Sequence, residues 1–224
     1  VTNGTYGIPS LPGHLVTVSL DGPMALNDPI RGEGVFAKVR EAIFARDAND
    51  GTTVMLQMAV TRENAPGLEE FMAEVSQWPI NGVAFSLYVP VKNDQTGLDW
   101  KDLKERDKVL DRIIALKEKY PSVVKSHVPT LELMKSDVAI NSTGENGEKC
   151  ILKRDTLPLY MGDGGQFEKP FCCYGNDVDC SHCGAYAVFN RAYLASQGRG
   201  DGSRYGRDGA ANVAAVVEQT SGKA

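Results

Sequence analysis

An α/β chain built on a parallel sheet, with a cysteine-rich segment near its end, is the fold class this sequence predicts. Three observations carry that expectation. Short apolar, β-branched runs alternate with amphipathic helical stretches, strand following helix in order as far as residue 125. Turn-forming Asp, Asn, Gly and Pro punctuate nearly every change of pattern. Four of the five cysteines fall between positions 172 and 183.

The elements follow in order. Val1-Thr2-Asn3-Gly4-Thr5 reads as the end of a strand entering a turn, because Asn and Gly tolerate the positive φ of such a turn. A sheet met in mid-strand leads us to expect a piece of a longer protein. Leu15 to Leu20 is a strand stopped by Asp21-Gly22-Pro23. Over Gly34 to Ile43, the spacing of Val35, Phe36, Val39 and Ile43 predicts an amphipathic helix. Thr52 to Val60 is a second strand, ended by Thr61-Arg62-Glu63-Asn64. Pro66 suits the first turn of a helix continuing through Leu68, Phe71, Met72 and Val75. Gly82 to Val89 is a third strand, closed by Pro90. Asp99 to Tyr120 reads as a long helix with Leu103, Leu110, Ile113, Ile114 and Leu116 on its apolar side, halted by Pro121. In parallel sheets of this kind, ligands sit beyond the carboxyl ends of the strands. Those ends are Asn3 to Thr5, Ser19 to Gly22, Thr61 to Asn64 and Ser86 to Pro90.

Beyond Lys125 the pattern changes. A short amphipathic piece around Leu131, Leu133 and Met134 precedes a loop-like stretch, Asn141 to Gly147. Gly164-Gly165 divides two extended stretches, Leu157 to Tyr160 and Gln166 to Phe171, which predicts a hairpin. Ala185 to Leu194 reads as a helix, Ser196 to Gly209 as a disordered Gly- and Arg-rich stretch, and Ala210 to Val217 as a weak helix. The expected organisation is a barrel-like part at 1–125, a cysteine-rich segment at 126–195 and a flexible tail at 196–224.

Composition narrows the function classes. An apolar share of 42% suffices for a packed core. A net charge of −5 offers no basic field for nucleic acid or anionic lipid. No apolar run approaches the roughly 20 residues of a membrane span. Cysteines confined to one region, with none before Cys150, argue for a metal site in a reducing compartment rather than a disulfide framework, hence for a cytoplasmic protein.

The sharpest motif is Cys172-Cys173, six intervening residues, then Cys180-Ser181-His182-Cys183-Gly184. Two cysteines separated by two residues can turn both sulfurs toward one metal, and Gly184 allows close backbone approach. Cys150 and one or both of Cys172 and Cys173 complete a thiolate set that suits tetrahedral zinc or an iron–sulfur cluster. His182, between two of these cysteines, reads as a neighbour of the metal or a solvent-facing residue more often than a ligand.

Taken together, the strand ends and cysteines resemble the radical S-adenosylmethionine superfamily. Thr2-Asn3-Gly4, Ser19-Leu20-Asp21-Gly22 and Thr61-Arg62-Glu63-Asn64 are similar to that family's strand endings. Asn27-Asp28, Arg31-Gly32 and Gly34-Val35-Phe36 are similar to its continuation after the second of them. The order Cys150, Asp163-Gly164-Gly165, Cys172-Cys173 and Cys180-x-x-Cys183 resembles, in reduced form, the auxiliary-cluster extensions known as SPASM and twitch domains. Asp-Val-Asp-Cys-x-x-Cys-Gly is also similar to the end of radical enzymes of the hopanoid-biosynthesis type.

The resemblance implies an incomplete parallel (β/α) barrel. It also implies an auxiliary 4Fe–4S cluster on Cys150, Cys172 or Cys173, Cys180 and Cys183. Ser19 and Asp21 would then lie at the ribose of S-adenosylmethionine, with Asn64 nearby and Ser86 and Tyr88 toward the adenine. The family's Cys-x-x-x-Cys-x-x-Cys motif, which carries the cluster that cleaves S-adenosylmethionine, is not among these 224 residues. The resemblance places it upstream, in a full-length parent holding a second 4Fe–4S cluster, and leaves this piece inactive alone. An electron donor such as a flavodoxin or ferredoxin, and a small-molecule or peptide substrate, would be the partners. The competing expectation is a zinc-stabilised α/β binding protein without catalysis.

Overall fold

Apolar residues at every second position give Leu15–Ser19 (β1) and Thr53–Val60 (β2) one wholly buried face each, Val16 and Val18 on the first and Val54, Leu56, Met58 and Val60 on the second. Their other faces are only half-buried. The computed structural model describes residues 1–152, 160–161, 167–168 and 178–198. The two strands run parallel, Leu15 opposite Thr53 through Ser19 opposite Gln57. With Gly82–Leu87 (β3) they form a three-stranded parallel sheet in the order β1-β2-β3. At one edge Thr2 makes a parallel bridge to Val18, its N–H donating to Thr17 O while Ser19 N–H donates to Thr2 O. At the other edge Val83 is bridged in parallel to Val124.

The chain divides into two compact units, Val1–Ser86 with Asp111–Ser126, and Leu87–Leu110 with the described part of His127–Ala224. The first holds the sheet and helices Met24–Arg31 (α1), Val35–Ala45 (α2) and Leu68–Val75 (α3). Its core is made by Phe36, Val39 and Ile43 of α2, Leu68, Phe71, Met72 and Val75 of α3, and the buried strand residues. Helix Leu103–Lys119 (α4) gives its opening turns to the second unit and the rest to the first. The second unit adds Val128–Leu133 (α5), Ile140–Thr143 (α6), a 3-10 turn at Cys180–His182 and Tyr186–Ser196 (α7). It also contains an antiparallel pair, Tyr160–Met161 (β4) with Phe167–Glu168 (β5). The expected hairpin is thus present at its core, while its Gly164-Gly165 turn lies outside the described residues.

Three elements depart from the sequence pattern. Helix α1 carries Pro29 inside it, which hides the helix from a reading by propensity. Helix α4 begins at Leu103 rather than Asp99, because Asp102 accepts the Lys104 N–H at 2.9 Å and so caps it. Residues Ile140–Thr143, expected as loop, close one helical turn that ends at Gly144, where φ is +70°. No described helix is long and apolar enough to cross a membrane.

Candidate functional site

The first unit gathers its strand-end residues around Asp21, which follows β1 and is 3% exposed. Its N–H donates to Asn27 Oδ1 at 2.8 Å, and its Oδ1 accepts the Ala59 N–H of β2 at 2.9 Å. Arg31 Nε, at the end of α1, lies 2.7 Å from Asp21 Oδ2, but its N–H is not aligned on that oxygen and makes no hydrogen bond. Each carboxylate oxygen keeps lone-pair capacity for a further donor. Asn64, fully buried, ties the neighbouring strand end to this point. Its amide donates to Asp21 O (3.0 Å) and Ala59 O (2.9 Å), and its Oδ1 accepts the Thr61 N–H (2.7 Å). Gly22 takes a φ of +127° there, which a side chain would resist.

These groups border a cleft of about 320 Å³ lined by Asn3, Thr5, Asp21, Ile30, Arg31 and Val35. Asp28 stabilises its wall: its carboxylate accepts the N–H groups of Gly34 and Phe36, each at 2.9 Å, at the start of α2. Burial pushes the Asp28 carboxyl up, but hydrogen bonds from Phe36, Asn27 and Gly34 outweigh it and hold the group below its ordinary value. Ser19 ends β1 half-buried, and Ser86 stands half-buried near the end of β3. Tyr88, in the second unit, has its hydroxyl 3.5 Å from Thr96 Oγ1. Of the expected residues, Asp21 borders the cleft and Asn64 fixes it. Arg31 joins them, a residue of the sequence motif to which the pattern alone gave no role.

In the second unit the Cys180–Cys183 turn is held from three sides. Asp179 caps it, accepting the Ser181 N–H at 3.0 Å. Asp99 Oδ2 lies 2.6 Å from His182 Nδ1, which directs the other ring nitrogen away from that carboxylate. Arg106, wholly buried, donates from Nη1 to His182 O (2.9 Å) and Cys183 O (3.4 Å), and from Nη2 to Met134 O (3.3 Å). Gly184 O accepts the Leu87 N–H at 2.8 Å, and a Cβ at position 184 would stand 2.6 Å from Tyr88 O. Only glycine fits, as its place beside the cysteines suggested.

The loop bearing Cys150 meets the same turn. Cys150 N–H donates to Gly147 O at 3.1 Å, and a Cβ on Gly147 would lie 2.9 Å from Cys180 Sγ. Cys150 and Cys183 are buried and Cys180 half-buried, and none of the three forms a disulfide. Among the described residues no three His, Cys, Asp or Glu side chains form a metal-holding group. Cys172 and Cys173 lie outside the described residues. Two free thiols at the ends of one turn, with a bare glycine against one sulfur, fit part of a thiolate-held metal site. Asp99 and Arg106 were missed by the sequence reading. Arg106 had a visible signal: it sits between Leu103 and Leu110 on the apolar row of α4, where a charge is out of place. Comparisons with protein-family models, with curated proteins and with solved structures return no match to this chain.

Proposed function

We propose that this chain is the C-terminal part of a radical S-adenosylmethionine enzyme, with an incomplete (β/α) barrel and an auxiliary 4Fe–4S cluster. One observation carries the reading. Residues similar to the family's strand-end motifs, though far apart in sequence, converge on one polar cleft around Asp21 at the carboxyl ends of parallel strands. Ligands of parallel α/β sheets bind at that end. Asp21 and Ser19 would meet the ribose hydroxyls, Asp21 through its spare lone pairs. Asn64 would act through Asp21, since its own amide is used on the main chain. Ser86 would stand toward the adenine.

Cys180, Cys183 and Cys150, with Cys172 or Cys173, would hold the auxiliary cluster. In the parent enzyme the cofactors supply reductive cleavage of S-adenosylmethionine and hydrogen-atom abstraction from the substrate. This chain's residues bind, orient and shield them. An electron donor of the flavodoxin or ferredoxin class would serve the parent, in the cytoplasm.

Anaerobic reconstitution with iron and sulfide tests the reading. The wild-type chain is expected to become brown, with a broad absorption near roughly 400 nm from thiolate-bound iron, and Cys180→Ala to lose its iron. A colourless protein with stoichiometric zinc would instead establish the zinc-stabilised binding protein, and unchanged iron in Cys180→Ala would remove Cys180 from the ligand set.

A further inference from the structure

We infer that Arg106 positions the Cys180–Cys183 turn and is the buried positive charge that balances thiolates bound to a metal there; the inference rests on the function proposed above. Arg106 has no exposed surface. An uncompensated guanidinium in such a place costs several kcal/mol. Its hydrogen bonds run to three main-chain carbonyls, which are neutral, and its Nε is buried without a hydrogen-bond partner.

The two carboxylates nearest in the field are engaged elsewhere. Asp107 accepts from Ser136 N–H (2.8 Å), Ser136 Oγ (2.6 Å) and Lys104 Nζ (3.3 Å). Asp99 is hydrogen-bonded to His182, and its Oδ1 is buried without a hydrogen-bond partner. Burial lowers the tendency of Arg106 to hold its proton, and Asp107, Asp99 and Cys183 act against that. Cys183, 6% exposed, is the third of these groups and the one in the metal motif.

A cluster held by thiolates carries net negative charge, and nearby charge and hydrogen bonding set its potential. A guanidinium fork spanning the carbonyls of His182, Cys183 and Met134 supplies both the charge and the shape. Lysine can supply only the charge.

The test uses the 224-residue chain, reconstituted anaerobically, as wild type, Arg106→Gln, Arg106→Lys and Asp99→Asn. Iron affinity against a chelator, reduction potential, and melting of the metal-free protein are read on each. Arg106→Gln should weaken metal affinity by about 10- to 100-fold and shift the potential of the remaining centre downward. Asp99→Asn, which removes a negative charge, should shift it upward. Arg106→Lys should lose affinity yet keep a potential near wild type. A residue that merely packs would lower the melting temperature without this pair of opposite shifts. Wild-type affinity and potential in Arg106→Gln would overturn the inference; if that variant does not fold, an unshifted potential in Asp99→Asn overturns it. A wild-type chain that takes up no iron defeats the proposed function and this inference together, whereas iron bound through Cys180 with unshifted variants defeats this inference alone.

Discussion

Asn64 shows how one buried amide can set a functional edge. It joins the Thr61 N–H to the carbonyls of Asp21 and Ala59, so two strand ends are held by a single side chain. Replacing it with alanine strands three buried main-chain groups, each worth a net 1 kcal/mol or more, for a total of about 3 kcal/mol. Urea denaturation of Asn64→Ala should therefore show a clearly lowered midpoint, and a midpoint equal to wild type would mean water or a neighbour replaces the amide. Asn64 was legible as a turn residue, because Asn favours such positions. Its bond to Asp21 was not legible, since it joins positions 43 residues apart.

At the scale of elements, the corner between α1 and α2 depends on Asp28. Its carboxylate meets Gly34 and Phe36 N–H groups that the start of α2 would otherwise leave without partners. Asp28→Ala should cost about 1 kcal/mol, as the loss of a helix-capping carboxylate does. The pH dependence has a definite sign. The folded carboxyl titrates below its ordinary value of 3.8, so its contribution is present above that value and disappears as pH falls through the lower, folded one. Denaturant midpoints should thus differ between wild type and Asp28→Ala near pH 7 and converge near about pH 2. A gap that persists in acid would locate the effect in packing instead. Strand and helix cores were readable from periodicity, because burial selects apolar residues at fixed spacing. Helix α1 was not, since Pro29 argues against it and tertiary contacts of Asn27 and Arg31 support it. The start of α4 turned on one cap, Asp102, that the longer apolar pattern concealed.

For the whole molecule, a net charge of −5 with a calculated pI near 5.3 sets the long-range field. Counterion release needs clustered cations, and the charges here alternate in sign along the chain. The chain should pass through heparin resin unretained at about 0.1 M salt, where fields reach only about 10 Å; retention released by added salt would reveal a local basic face that the net charge conceals. The sequence by itself determined the alternation of strand and helix, the polar strand ends, the grouping of cysteines and the need for glycine at position 184. Those features rest on backbone preference and on spacing along one element. Only the tertiary structure decided that Asp21 meets Ala59 and Arg31 at a cleft, and that Arg106 reaches the carbonyl of Cys183 across 77 positions. The physical reason is that such contacts are made by packing between elements, and a buried charge on an apolar helix row marks that some partner is required without saying which.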